Sequence, residues 1–178
     1  MKIGFLLQRR FAYVGHAMAL IFQKKYGINK FCGYVTVRDG FEFLKSQKDI
    51  QYTKLLLEED IQKQYKNEPL DLDYLKALEQ EYGIPNLWPF VATDRIIRYN
   101  QHVREYPYDT PQYTHEEMMR MVQVMSKNII VFLKEEKPDV ICFSMIGSLG
   151  SMLLYYVAKK IGIRTFLIRS SRIGIKYS

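Results

Sequence analysis

The feature that most constrains this chain is a set of short apolar runs that do not alternate with polar residues. They are Lys2-Ile3-Gly4-Phe5-Leu6-Leu7-Gln8, Phe31-Cys32-Gly33-Tyr34-Val35-Thr36-Val37, Val140-Ile141-Cys142-Phe143 and Arg164-Thr165-Phe166-Leu167-Ile168-Arg169. A strand that is apolar on both sides is buried on both sides, the condition of a parallel sheet sandwiched between helices. Residues 17–22 are apolar on several sides and end in Lys24-Lys25 and Gly27. Cations in a last turn with a glycine just beyond are a helix stop. Strand, about a dozen helical residues, strand is a βαβ unit, whose crossover is right-handed.

The same unit recurs near the other end. Thr114-His115-Glu116-Glu117 has the S/T-x-x-E spacing of a capping box. Met118, Met121, Val122, Met125, Ile129, Phe132 and Leu133 then follow at helical period. That helix must stop near Lys137-Pro138, because proline disfavours the helical conformation of its predecessor. After the strand at 140–143, Gly147-Ser148-Leu149-Gly150-Ser151 turns into a helix over 152–161, ended by Gly162. The expected class is α/β: a Rossmann-like, doubly wound, mainly parallel sheet. Residues 41–48, 54–66 and 71–82 read as helices, an Arg-rich helix is expected near 93–104, and 106–111 is a loop. With no buried strand evident among them, residues 39–113 are expected to form a helical insert in a single domain spanning 1–178.

Length and pattern exclude several classes. The 178 residues fit one domain, or at most one and a half. Two cysteines, Cys32 and Cys142, are too few for a disulfide framework and sit in apolar runs, as small buried hydrophobes of a reducing compartment do. No run approaches the roughly 18 apolar residues of a membrane span, and the start has no signal-peptide pattern, so the expected location is cytoplasmic. No G-x-x-x-x-G-K-[ST] loop, no G-x-G-x-x-G after the first strand and no G-x-S-x-G elbow is present. His16, His102 and His115 with two distant cysteines make no metal spacing, so neither metal nor resident cofactor is expected.

The net charge of +7 is unevenly spread. Residues 1–48 carry nine basic and two acidic side chains, 49–139 eleven and seventeen, and 140–178 six and none. Basic ends around an acidic middle argue for a local anion site rather than a broad nucleic-acid footprint. The absence of RRM, KH or helix-turn-helix signatures also disfavours nucleic acid.

In an open parallel sheet, ligands bind outside the carboxyl ends of the strands. Arg9 and Arg10 follow the first strand, Arg38 ends the second, and Arg169 and Arg172 end and follow the last. Ser144 and Gly147-Ser148 follow the strand at 140–143. Turns at Gly15 and at Gly147 lead into helix N-termini, whose free N–H groups favour anions. Ser148 and Ser151 add hydroxyls, and a guanidinium can donate two parallel bonds to a phosphate. These residues mark a candidate phosphate or diphosphate site. The alternative for any one arginine is solvation, or pairing with Asp39, Glu42 or Asp94. His16 is expected at the start of the first helix on that edge, as a base or donor to a sugar hydroxyl, or else bonded to a loop carbonyl. Trp88 and its neighbouring aromatics would stack a sugar ring or pack the insert against the sheet.

Several of these pieces together resemble a known family. Gly15-His16 after the first strand, Glu135-Glu136-Lys137-Pro138-Asp139-Val140-Ile141, Gly147-Ser148-Leu149-Gly150-Ser151 and Ala158-Lys159-Lys160-Ile161-Gly162-Ile163-Arg164-Thr165 resemble the N-terminal half of GT-B glycosyltransferases. With Tyr82-Gly83-Ile84-Pro85-Asn86-Leu87-Trp88-Pro89, the chain is similar to surface or capsular polysaccharide biosynthesis proteins. The resemblance implies an acceptor-side domain, a nucleotide-sugar as donor substrate, and a sugar or lipid-linked sugar as acceptor. It also implies a C-terminal domain or partner subunit that completes the cleft, and, for a lipid-linked acceptor, peripheral contact with an anionic membrane. The other reading is a non-catalytic α/β nucleotide- or anion-binding module that acts with a partner protein.

Overall fold

In a computed structural model of the chain, residues 1–100 and 111–168 are described. Five strands form one sheet, every pairing parallel, in the order β3-β2-β1-β4-β5. They are β1 (Lys2–Leu7), β2 (Lys30–Val35), β3 (Tyr52–Leu57), β4 (Val140–Phe143) and β5 (Arg164–Leu167). The chain is thus a Rossmann-like, doubly wound α/β fold, as its apolar runs require. β1 lies at the centre, with Ile3 opposite both Phe31 and Val140, and its direction of growth reverses there, between β1 and β4.

The alternation of side chains along each strand builds two cores. Phe5, Leu7, Phe31 and Val35 pack with α1 (Phe11–Tyr26) and α2 (Arg38–Ser46) on one face. Leu6, Tyr34, Ile141 and Phe143 pack on the other with α7 (His115–Glu136) and α8 (Leu149–Lys160). The same face is filled by the smaller helices α3 (Glu58–Lys63), α4 (Leu72–Tyr82), α5 (Trp88–Thr93) and α6 (Arg95–Tyr99).

Local signals act as expected at several ends. Gly27 closes α1 at φ 66°, donating to the carbonyls of Gln23 and Phe22. Thr114 and Glu117 form a reciprocal capping box that starts α7. Lys137 ends that helix in the left-handed region, at φ 45°, directly before Pro138.

The middle of the chain departs from expectation. Residues 52–57, expected partly as helix, are the edge strand β3, so the first half contributes three strands and the helical stretch begins only at Glu58. An edge strand has one neighbour and incomplete cover: within β3 only Leu57 is buried. Its Lys54 and the acidic Glu58-Glu59-Asp60 that follow therefore resemble a helix start when read as sequence. The expected helix near 93–104 is interrupted at Asp94, whose extended backbone and side chain cap α6; residues 101–110 lie outside the described residues.

Candidate functional site

The carboxyl ends of β1 and β2 open into a cleft of about 380 Å³ between the loops that follow them. Arg9, Arg10, Tyr13, Arg38 and Glu59 are among the residues that line it. Arg9 and Arg10 are exposed, and neither side chain has an ion pair or hydrogen bond among the described residues.

Local energetics at this point are unfavourable in three ways. Arg9 has φ 43°, a left-handed conformation that costs a residue with a side chain about 1–2 kcal/mol. Arg10 occupies the N-cap of α1 without a side-chain cap, and the first turn holds no acidic residue. Two cations therefore sit at the positive end of the helix dipole, where an anion is favoured instead. A bound anion would offset the second and third of these features directly.

Arg38 is different. It begins α2 rather than ending β2, and its guanidinium pairs with Asp60 and lies 3.9 Å from Glu42. Its N–H donates to Glu59 Oε1 at 3.1 Å. Acidic neighbours thus occupy this arginine; of the partners the sequence offered, Asp39, Glu42 and Asp94, only Glu42 is among them, and Asp60 was not foreseen. Arg169 and Arg172 lie outside the described residues.

The turn after β4 is already internally satisfied. Ser148 and Ser151 form a capping box at the start of α8. Ser151 Oγ accepts from the N–H groups of Gly147 (3.0 Å) and Ser148 (2.9 Å) and donates to the Ser148 carbonyl. Ser151 is fully buried, so its hydroxyl serves the helix and is not a free donor at the edge, contrary to the sequence expectation. Ser144 Oγ donates to Gln8 Oε1 at 2.9 Å, bridging the ends of β4 and β1 at the reversal point. Gly147 faces open space.

Gly15 and His16 do not start α1, which begins at Phe11. Gly15 is a contact point with the sheet, where a Cβ would overlap the Leu7 side chain. His16 is buried beneath α2 and the beginning of β3. Its Nδ1 stands 3.3 Å from the Tyr52 hydroxyl, its Nε2 3.2 Å from Asp49 Oδ1, and its ring meets Phe43 edge-on. It does not line the cleft, because the helix carries it more than a turn away from the edge. Trp88 packs on His115 at 4.8 Å and under the Arg98 guanidinium at 5.5 Å, beside the core that joins the small helices to the sheet.

A group of acidic residues invisible as a unit in the sequence lies near the same edge. Asp94 is buried; its Oδ1 accepts from Ile96 and Ile97, and its Oδ2 from the N–H of Leu149 at 3.0 Å. Glu58 leaves the end of β3 with its Oε2 buried, although other parts of the residue are partly exposed. Burial pushes its carboxyl up to about 8; the nearby Tyr34 hydroxyl opposes this, and the charges of Asp94 and Glu59 add to it. The only sequence signal for Asp94 was its place as a helix N-cap residue before Arg95-Ile96.

Among the described residues, no group of three or more His, Cys, Asp or Glu side chains is placed to hold a metal ion. Both cysteines are free and buried, and burial pushes the thiols up, Cys32 to about 12 and Cys142 to about 11. Neither supplies a thiolate near neutral pH. No described helix is long and apolar enough to cross a membrane. No protein-family model matches the chain, and no curated protein matches it.

Proposed function

We propose that this chain binds a phosphorylated ligand at the carboxyl edge of its sheet, as the acceptor-side domain of a glycosyltransferase of surface or capsular polysaccharide biosynthesis. One observation carries the binding part: Arg9 and Arg10 stand unpaired among the described residues, at an uncapped helix N-terminus beside a cleft. A phosphate there would accept charge-assisted bonds from both guanidiniums and meet the favourable end of the α1 dipole. The cleft lies at the carboxyl edge of the sheet, the edge where open parallel sheets take their ligands, on the β2 side of the reversal between β1 and β4, and Tyr13 offers it a half-exposed ring. The glycosyltransferase part rests on the sequence resemblance. In that setting a nucleotide-sugar is the donor substrate, and a second domain or subunit completes the cleft.

The test is ligand-induced stabilisation. Pyrophosphate and a uridine diphosphate sugar should raise the thermal midpoint of the chain, as any ligand specific to the folded state does. Arg9→Ala with Arg10→Ala should remove the rise. A rise that survives both substitutions sinks the site.

The second reading, a non-catalytic module acting with a partner protein, is favoured by a different observation. An apolar groove of about 970 Å³ lies on the α1 face of β4 and β5, lined by Met18, Phe22, Ile28, Phe166 and Ile168 among others. Phe166 is 59% exposed there. Equal binding of pyrophosphate and of sugar nucleotides would favour this reading over the transferase.

A further inference from the structure

Two buried oxygen atoms beneath the first turn of α8 have only each other as polar company: neither makes a well-formed hydrogen bond to any other described group. One is the hydroxyl of Tyr34, a side chain with no exposed surface at all. The other is Oε2 of Glu58. Both are aimed at Gly150, so closely that a Cβ on that residue would overlap the Tyr34 hydroxyl and the Glu58 carboxyl together. The first turn of α8 can approach β2 and β3 in this way only because residue 150 has no side chain.

Among the described residues, the titratable groups that act on Glu58 come from β2, α3 and the junction between α5 and α6, and none is a cation. β2 supplies Tyr34, the junction between α5 and α6 supplies Asp94, α3 supplies Glu59, and α8 supplies only the backbone at Gly150. Asp94 is itself bonded to the Leu149 N–H, one residue before Gly150. An ionised Glu58 would therefore be a desolvated anion next to other anions, which is costly unless it is paired. A protonated Glu58 is neutral, and its O–H can be donated.

We infer that Glu58, Tyr34 and Gly150 form a proton-operated latch, which holds the N-terminus of α8 against β2 and β3 while Glu58 is neutral and loosens when it ionises. Water must reach an ionised carboxylate, and the way in is to separate the Gly150 turn from the sheet. The same turn carries Gly147 and Ser148 at the carboxyl edge. The latch itself needs no ligand; only its effect on ligand binding rests on the phosphate reading above.

The experiment is a pH titration of the whole chain from 5 to 9.5, followed by carbon-13 signals of glutamate carboxyls and by the amide signals of Leu149, Gly150 and Ser151. One glutamate is expected to titrate at least about two pH units above the ordinary glutamate value, with the three amides sharing its midpoint. In Glu58→Gln that step should vanish from carboxyls and amides alike. Tyr34→Phe keeps Glu58 and removes the hydroxyl that eases its ionisation, so its midpoint should move still higher; this variant also serves if Glu58→Gln does not fold. The latch is overturned if every glutamate titrates below pH 6, if the amides of 149–151 do not follow, or if Tyr34→Phe leaves the midpoint unchanged. No phosphate is present in this titration, so its failure leaves the phosphate site standing, and loss of pyrophosphate binding leaves the latch standing.

Discussion

Asp94 and Leu149, 55 positions apart in the chain, are joined by a 3.0 Å hydrogen bond from the Leu149 N–H to the buried Asp94 Oδ2. The other oxygen of the same carboxylate accepts from Ile96 and Ile97. A single side chain thus satisfies the free N–H groups of two helix starts, α6 and α8, and ties the small helices of the middle segment to the sheet.

Asp94→Ala should therefore cost more than an ordinary cap. Loss of a cap removes about 1 kcal/mol, and hydrogen bonds to a charged acceptor are each worth about 1.5–3 kcal/mol. We expect a loss of about 3 kcal/mol in chemical denaturation, and a smaller loss for Asp94→Asn, which retains an acceptor oxygen. Equal losses for the two variants would show that the α8 bond is not what Asp94 supplies.

Arg10→Ala should raise the stability of the unliganded chain by about 0.3–1 kcal/mol, since it removes a cation from the positive end of the α1 dipole. The same substitution should weaken pyrophosphate binding in calorimetry. A site residue that is unfavourable for folding and favourable for binding moves these two quantities in opposite directions. A variant that loses stability while binding pyrophosphate normally would contradict the role given to Arg10.

Two glycines of one turn should respond very differently to the same methyl group. At Gly150 a Cβ would overlap the buried Tyr34 and Glu58 groups, whereas at Gly147 nothing lies within 4 Å. Overpacking of this sort costs about 1–3 kcal/mol. Gly150→Ala is expected to fall at the upper end of that range, and Gly147→Ala to lie within about 0.5 kcal/mol of the parent, as exposed substitutions do. Urea denaturation of the two variants side by side is the measurement.

The stability of the chain should fall as pH rises above the ordinary glutamate range, because of Glu58. Its carboxyl is raised from 4.5 to about 8, first by burial, so the folded chain holds a proton that the unfolded chain releases. The stabilisation from that proton is complete below pH 4.5, declines by up to about 1.4 kcal/mol per pH unit between the two values, and is gone above about pH 8. Glu136 acts in the opposite sense: burial pulls it upward, but hydrogen bonds from Lys2 and Thr53 outweigh this and hold it lowered. Its contribution is present above the ordinary carboxylate range and is lost as pH falls through the lowered value. Denaturation between pH 5 and 8.5 should show the Glu58 slope in the parent and a shallower one in Glu58→Gln. Parallel slopes would mean that Glu58 is ionised in the folded chain.

Much of the frame was legible from local pattern. The runs at 2–8, 31–37, 140–143 and 164–169 contain all or most of β1, β2, β4 and β5, because strands buried on both faces must be apolar throughout. β3 was not legible: at a sheet edge it carries Thr53 and Lys54, and only Leu57 of its residues is buried. Arg9 and Arg10 could be placed at the carboxyl edge of the sheet because they directly follow a recognisable strand. The fate of Arg38 depended on Asp60, 22 positions away, and no local pattern encodes that pairing.

By itself, then, the sequence determined the α/β class, the parallel sheet and the capped start of α7, since all of these follow from hydrophobic period and from contacts within a few residues. Only the tertiary structure decided which polar groups remain free. Among the described residues it left Arg9 and Arg10 unpaired, engaged Arg38, buried His16 away from the cleft, and brought Tyr34, Glu58, Asp94 and Gly150 together. The physical reason is range. Burial and ion pairing depend on neighbours supplied by other strands and helices, and a residue's chemistry is set by those neighbours rather than by its place in the chain.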